Sequence, residues 1–392
     1  MISLISQIIF WISVATLFYV YVGYPLLVWM IGEIFPLEIR KDDFAPFVTI
    51  LITAYNEEKA IRAKLENTLQ IDYPKERLEI LVASDGSTDK TDEIVREFAD
   101  KGVKLFRQEG RMGKTFTQNK AVEQSKGEII LFSDATTNYE KDVLQIILPN
   151  FADEKIGCVA GRLVYVDESK SGVGTGARKY WNYETFLKKS ESRACSLIGA
   201  SGCLYAVRKS AYQPMYAEAC SDFLICTVVF RQGLRSVYEP NAVCTEETNR
   251  HTKKEFQMRV RVISQTFTDL WRNREMLNPF RSGFYAVELI SHKLLRYAVP
   301  FLLLLILLSS AIAAFHSNLF AGFFVLQALF YAMAFVAWMA EKSGKSPGIL
   351  AIPLYFVLTN LASTIGFYKF LSGERYAQWE PIRETNETSV NA

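Results

Sequence analysis

The chain has 392 residues, 50% hydrophobic and 22% charged, with a formal net charge of +2 at pH 7. That average conceals a partition. No Asp, Glu, Lys or Arg precedes Glu33, and Tyr297–Ala340 and Gly348–Tyr368 are equally free of them. Of the 86 charged residues, 76 lie between Glu33 and Arg296, a segment about 29% charged and so globular rather than disordered. The long uncharged flanks exclude a secreted, cytosolic or fibrous protein, and the near-neutral balance without a polybasic stripe excludes nucleic acid as a partner.

Leu4–Met30 is long enough for a spanning helix, which needs about 20 apolar residues. With no basic run before it and no small-residue cleavage site, it reads as an anchor over residues 1–32 rather than a signal peptide. Phe47–Thr53 is an apolar, β-rich run, followed by Ala54-Tyr55-Asn56-Glu57-Glu58 and a helical pattern through Gln70. Leu78–Ala83 is a second buried-strand run; it ends in Ser84-Asp85-Gly86-Ser87-Thr88-Asp89, and a helix follows to Ala99. Next come Val103–Phe106, a turn at Gly110–Gly113, a helix over Thr115–Ser125 and the strand Glu128–Phe132. Strands alternating with helices at this spacing predict a parallel α/β sheet, in which ligands bind at the carboxyl ends of the strands. The polar clusters Tyr55–Glu57, Asp85, Lys114 and Asp134 fall at those ends. Each alone also reads as a helix cap or turn. Together, in this order, they compose a nucleotide-diphosphate site, with carboxylates for base, ribose and metal and a lysine for phosphate charge.

Further along, Gly172-Val-Gly-Thr-Gly176 reads as a flexible loop, because no strand leads into it directly and no Gly-Lys-Ser/Thr follows. Arg178–Glu191, with Tyr180, Trp181, Tyr183 and Phe186, either lines a substrate groove or packs on the membrane face. Residues 283–296 read as an amphipathic interface helix, since Val287, Ile290, Leu294 and Leu295 alternate with Glu288, His292, Lys293 and Arg296. An ordinary helix packed on the domain fits that pattern equally well. The region 297–371 holds two or three spans: Tyr297–Phe315, Leu319–Ala340, and Leu350–Tyr368 with Pro353 inside it. Arg40 and Lys41, with Lys342 and Lys345, put the middle domain in the cytoplasm by the positive-inside rule. A polar tail, 372–392, carries a glycosylation sequon at Asn386–Thr388. The six cysteines have no C-x-x-C spacing and are expected as free thiols.

The stretches VTILITAYNEEKAI (48–61), EILVASDGSTDKT (79–91), GRMGKTFTQNKAVEQSKGEIILFSDATTNY (110–139), IGASGCLYAVRK (198–209) and CSDFLICTVVFRQGLRSVYEPNAVCTEET (220–248) carry a resemblance. Over residues 46–275 the chain resembles the catalytic domain of glycosyltransferase family 2, in the branch of the cellulose, chitin and hyaluronan synthases. The resemblance implies a GT-A fold (Rossmann-like α/β) flanked by transmembrane helices, an inverting transfer from a nucleotide sugar, and Mg²⁺ or Mn²⁺ as cofactor. The implied donor is a UDP-sugar and the acceptor a glycan or lipid-linked glycan, at the plasma membrane among its lipids. Ala54, Glu57 and Asp85 would hold the uridine and Lys114 the diphosphate. Asp134 would begin the metal-binding D-x-D position, where Thr136 replaces the second carboxylate. Asp222 would be the general base, and Gln257, Arg259 and Arg261 stand where processive members carry Q-x-x-R-W, here without the tryptophan. Those two departures support an alternative, a catalytically degenerate scaffold subunit of a polysaccharide export complex. A nicotinamide oxidoreductase fails, since no G-x-G-x-x-G follows the first strand.

Overall fold

The computed structural model describes residues 2–166, 172–247, 252–343 and 345–378. The N-terminal segment is α1 (Ile2–Phe18), a π-helical turn (Tyr19–Gly23) and α2 (Tyr24–Ile34). The charged middle then folds as β1 (Val48–Ala54), α3 (Ile61–Leu69), β2 (Leu78–Ser84), α4 (Thr91–Arg96), β3 (Val103–Arg107), α5 (Lys114–Gln124) and β4 (Ile129–Asp134). It continues through β5 (Asn138–Tyr139), α6 (Val143–Ile147), β6 (Ile156–Val166), α7 (Gly172–Ala194) and β7 (Tyr205–Arg208). Helix α8 (Ser221–Phe230), β8 (Arg235–Glu247) and α9 (Thr252–Arg272) complete the domain. After it come α10 (Pro279–Ser282), α11 (Phe284–Glu288), α12 (Leu295–Ala314), α13 (Asn318–Lys342) and α14 (Ala351–Leu371).

One sheet of eight strands, in the order β3-β2-β1-β4-β7-β6-β8-β5, organises the middle domain. All seven residues of β1 are buried, as befits a central strand covered on both faces. Its alternation divides the core: Ile50 and Ile52 face Ile61 and Leu65 of α3, while Leu51 faces Ala121 and Val122 of α5. Strands β3, β2, β1 and β4 are parallel, as the sequence leads one to expect. The other half departs from that expectation, because β7 runs antiparallel to both β4 and β6. Helix α7 leaves the sheet to pack Leu187 against Tyr24 and Val28 of α2, and the chain then re-enters the sheet at the end where β6 left it. The Phe132–Tyr205 pairing therefore sets the residues just before β7 beside the carboxyl end of β4.

Among the described residues, four helical stretches are long and apolar enough to cross a membrane: Leu4–Ile34, Phe284–Ala314, Asn318–Lys342 and Gly348–Leu371. Pro353 does not break the last one, since it sits in the first turn of α14, where no intrahelical N–H is required. Two expectations are corrected. Gly172 opens α7, so the glycine-rich stretch begins a helix and not a loop. The 283–296 segment is not a separate interface helix: α11 passes through a π-helical turn (Leu289–Leu294) directly into α12. Its polar side chains Glu288, Ser291 and His292 are buried, and His292 and Arg296 turn onto Glu191 and Glu184 of α7, not onto a surface. The sequon at Asn386–Thr388 and the side chains of Tyr180 and Trp181 lie outside the described residues.

Candidate active site

Three charged side chains meet where the strand ends converge. Asp134 closes β4, Lys114 opens α5, and Asp222 lies in the first turn of α8. Lys114 Nζ donates to Asp134 Oδ1. A Cβ placed on Gly202 would stand 3.2 Å from Asp222 Oδ2, 3.3 Å from Lys114 Nζ and 3.5 Å from Asp134 Oδ2. All three groups thus border one small space that a glycine leaves open. Burial pulls the Lys114 ammonium down, but the carboxylates of Asp134 and Asp222 outweigh it and hold it above its ordinary value.

Asp222 is not the cap of α8. Cys220 occupies that position, and Asp222 sits within the helix. Its Oδ1 accepts from the Phe223 N–H at 3.0 Å and from Cys220 Sγ at 3.1 Å, which leaves Oδ2 turned to Gly202. The N-terminal end of α8 places a partial positive charge beside that carboxylate. The loop carrying Gly202 is tied to the same turn, since the Ala200 N–H donates to the Asp222 carbonyl at 2.9 Å.

Glu57, Thr136, Arg259 and Arg261 line the same cavity, of about 1540 Å³. Arg261 lies near Asp134 and Asp222; burial draws its pKa down while Cys220 and the two carboxylates oppose this. Arg259 is tied to Glu255 at 2.8 Å and to the Tyr355 hydroxyl of α14. Ala54, Asp85 and Gln257 do not line the cavity. Asp85, expected on the uridine, is 0% exposed and its carboxylate is taken by the protein's own donors. The N–H groups of Met112 (2.8 Å) and Gly113 (2.9 Å) and the Thr117 hydroxyl (2.8 Å) all point to it. Asp85 therefore clamps the 110–113 turn that precedes Lys114. Gln257 is exposed on α9.

Several site residues carry no motif. Glu246, at the end of β8, accepts from Thr136 Oγ1 at 2.9 Å; burial and then Asp134 push its carboxyl up to about 7. Nothing in the acidic run around it singles it out. Lys64 is buried, donates to the Thr137 carbonyl at 2.7 Å, and stands 3.6 Å from the centre of the Tyr139 ring; burial pulls it down to about 7. It was legible as the one lysine on the apolar 61-64-65-68 face of α3. Asp269 of α9 accepts from the Cys220 N–H and the Tyr216 hydroxyl; burial drives its pKa well above the carboxylate range.

The implied divalent ion is compatible with these residues. Asp134, Thr136 and Glu246 offer hard oxygen donors, and among the described residues no three His, Cys, Asp or Glu side chains cluster as a closed metal cage. Mg²⁺ and Mn²⁺ sites of one or two carboxylates completed by substrate phosphates need no such cage. At its other end the cavity runs between the long helices, past Glu184, Lys188, His292, Arg296, Tyr355 and Asn360. The face of α7 bearing Glu184 and Lys188 lines this passage, while Leu187 packs on α2.

Residues 49–215 match the family model described as "Glycosyl transferase family 2". YdaM of Bacillus subtilis (strain 168) is 29% identical over 231 residues, 55% of this chain and 54% of that protein. The poly-beta-1,6-N-acetyl-D-glucosamine synthase of Staphylococcus aureus (strain COL) is 28% identical over 243 residues, 56% of this chain and 58% of that one. The chain thus spans a little over half the length of the curated relatives it matches. Among solved structures, the mannosyltransferase PcManGT from Pyrobaculum calidifontis, in complex with GDP-Man and Mn²⁺, superposes with a TM-score of 0.73 at 22% identity. That likeness covers 93% of this chain and 99% of that one, and at this identity it speaks for the fold. Sheet, cleft and family match agree: residues 49–215 are a glycosyltransferase family 2 domain, in a chain whose flanks are long apolar helices.

Proposed function

We propose that the chain is a membrane-embedded inverting glycosyltransferase of polysaccharide or glycan synthesis, acting from the cytoplasmic face of the plasma membrane. It moves a sugar from a nucleotide-diphosphate donor, a UDP-sugar, to a glycan or lipid-linked acceptor. The observation that carries the reading is the convergence of Lys114, Asp134 and Asp222 on the space at Gly202. A divalent ion bound at Asp134 supplies charge neutralisation for the leaving diphosphate. Lys114 gives up its pairing with Asp134 to meet the phosphate oxygens, and Arg261 adds positive charge on the same side. Asp222 Oδ2 accepts the proton of the acceptor hydroxyl as that oxygen attacks the anomeric carbon, opposite the leaving group, which inverts the centre. A positioned base of this kind contributes roughly 10²–10⁴-fold. The named activity of the staphylococcal relative supports the polysaccharide context, and the ligands of the Pyrobaculum calidifontis structure support a nucleotide sugar with Mn²⁺. The test is nucleoside-diphosphate release by the detergent-purified chain across a panel of UDP-sugars and GDP-mannose with Mg²⁺ or Mn²⁺. Release from a UDP-sugar is expected; no release from any donor, with membrane lipid extract as acceptor source, overturns the reading.

A further inference from the structure

The segment Asp134-Ala135-Thr136 carries one carboxylate where a divalent-cation site of this type takes two. A threonine hydroxyl is neutral, so the substitution removes a full negative charge from the motif. The fold returns one from elsewhere. Thr136 Oγ1 donates to Glu246 Oε1 at 2.9 Å, and both residues line the cavity with Asp134. Two strand pairings fix Glu246 at this point. Strand β5 pairs Asn138 with Thr245 and Tyr139 with Cys244, and β6 pairs Tyr165 with Glu246, so the end of β8 is held against the turn that follows Asp134. Buried Lys64 donates to the Thr137 carbonyl, one residue beyond Thr136, at 2.7 Å. The hydroxyl at 136 is thus a partner of a carboxylate as well as a gap left by one.

We propose that Glu246 supplies the second carboxylate of the divalent-cation site, with Asp134 as the first and the Thr136 hydroxyl orienting the Glu246 side chain. The remaining positions are left to the donor's phosphate oxygens and water, the usual environment of Mg²⁺ or Mn²⁺ at a nucleotide. The inference rests on the reading that this cleft takes a nucleoside diphosphate with a divalent ion. It assigns a role to a residue outside the recognised motif, on a strand 110 positions further along the chain than Thr136.

The experiment uses the full chain in detergent, with Mn²⁺ titrated by electron paramagnetic resonance in the presence of saturating UDP and no sugar donor, so that nothing turns over. Glu246→Gln keeps an oxygen to accept from Thr136 but loses the charge. Losing even an outer-shell partner costs metal affinity 10–100-fold, so loss of a direct ligand is expected to weaken Mn²⁺ binding at least about tenfold. Thr136→Asp in the Glu246→Gln background is expected to restore most of the loss by rebuilding the carboxylate within the motif. UDP binding in excess chelator serves as the folding control and is expected to match the parent in both variants. Wild-type Mn²⁺ affinity in Glu246→Gln, or no recovery in the double variant while UDP still binds, overturns the inference. The two readings fail separately: turnover of a UDP-sugar with Mn²⁺ binding indifferent to Glu246 removes only this inference. Glu246-dependent Mn²⁺ binding without turnover of any donor removes only the glycosyl-transfer reading.

Discussion

The carboxylate of Asp269 accepts a hydrogen bond from the backbone N–H of Cys220 at 3.1 Å, so α9 holds the chain two residues ahead of Asp222. The same carboxylate, itself buried, takes the Tyr216 hydroxyl. Asp269 touches no part of the cleft; it positions the turn from which Asp222 projects. Asp269→Leu removes the acceptor of the Cys220 N–H and the Tyr216 hydroxyl at a similar side-chain size. A shift of about 1 Å at a reacting group can cost as much as 10²-fold in rate, so kcat is expected to fall between about tenfold and 10²-fold. UDP affinity, measured by calorimetry, stays near wild type. A parallel loss of UDP affinity would return Asp269 to general support of the domain.

Asp222 and Asp134 border the same space but are assigned different work, and the asparagine variants separate them. Asp222→Asn keeps the Phe223 contact and the shape of the side chain yet cannot take a proton. Transfer should drop by at least about 10²-fold with UDP affinity within a few-fold of wild type. Asp134→Asn should abolish turnover, as should excess chelator on the wild type. Full activity in chelator would dismiss the cation, and near-normal transfer in Asp222→Asn would dismiss the base.

Gly202 offers a test by addition of atoms. It lies outside the left-handed region, so alanine fits its backbone, and the new methyl group would stand 3.2–3.5 Å from three charged atoms. Gly202→Ala is therefore expected to fold normally, with an unchanged melting temperature by scanning fluorimetry. Sugar transfer should fall by more than about tenfold, because the methyl occupies the space into which the reacting groups point. Melting that drops in step with activity would mean the glycine serves packing alone.

How far the sequence speaks here depends on how local each determinant is. The parallel half of the sheet was readable because its strands are continuous apolar runs such as Val48–Ala54 and Leu78–Ser84, each ending in a polar cluster. The antiparallel half was not, since β7 is only four residues long and pairs with β4 and β6, from which α7 separates it in the chain. Lys114, Asp134 and Asp222 stand in motifs and are brought together. Asp85 stands in a motif too, but its burial and its three donors come from the 110–117 segment, invisible until the chain is folded. Glu246 and Asp269 act through contacts with Thr136 and Cys220 on other elements, so no local pattern marks them. The 283–296 segment shows the same limit: its amphipathic pattern is real, but the polar face meets Glu184 and Glu191 instead of lipid headgroups.

Lys64 ties stability to pH. Its folded pKa, about 7, lies below the ordinary lysine value near 10.4, so between these values the unfolded chain binds more protons. Stability from this group is complete above the unfolded value and is lost as pH falls through the folded one. Lys64→Met fills the same apolar space without the ammonium. The melting temperature of the variant minus that of the wild type should be largest near pH 7 and shrink as pH rises toward about 10. A difference that stays constant across that range would show that the Thr137 carbonyl and the Tyr139 ring keep Lys64 charged in the folded state.

The cavity bears on what the acceptor is. It leaves the space at Gly202, passes Lys188 and Arg296, and continues between α9, α12 and α14 to Tyr355, Asn360 and Ser363. A passage with polar (Tyr355, Asn360, Ser363) and apolar (Ile352, Phe356) side chains, opening among helices of membrane-spanning length, suits an acceptor whose glycan end reaches Asp222 while its lipid end stays among those helices. The resemblance implies that processive members end the α9 motif in a tryptophan that holds the growing end, and here Gln257–Arg261 ends in Arg261. Without that stacking surface a product has less to hold it after each transfer, and the expected reaction is addition of a single sugar to a lipid-linked acceptor. Incubation with radiolabelled donor and membrane lipid extract, followed by sizing of the product, decides this. One sugar added uniformly across the acceptor pool supports the single-transfer reading. A long polymer formed while most acceptor remains unused would mean that the passage between α12 and α14 carries a growing chain, and that Tyr355 or another cavity residue replaces the missing tryptophan.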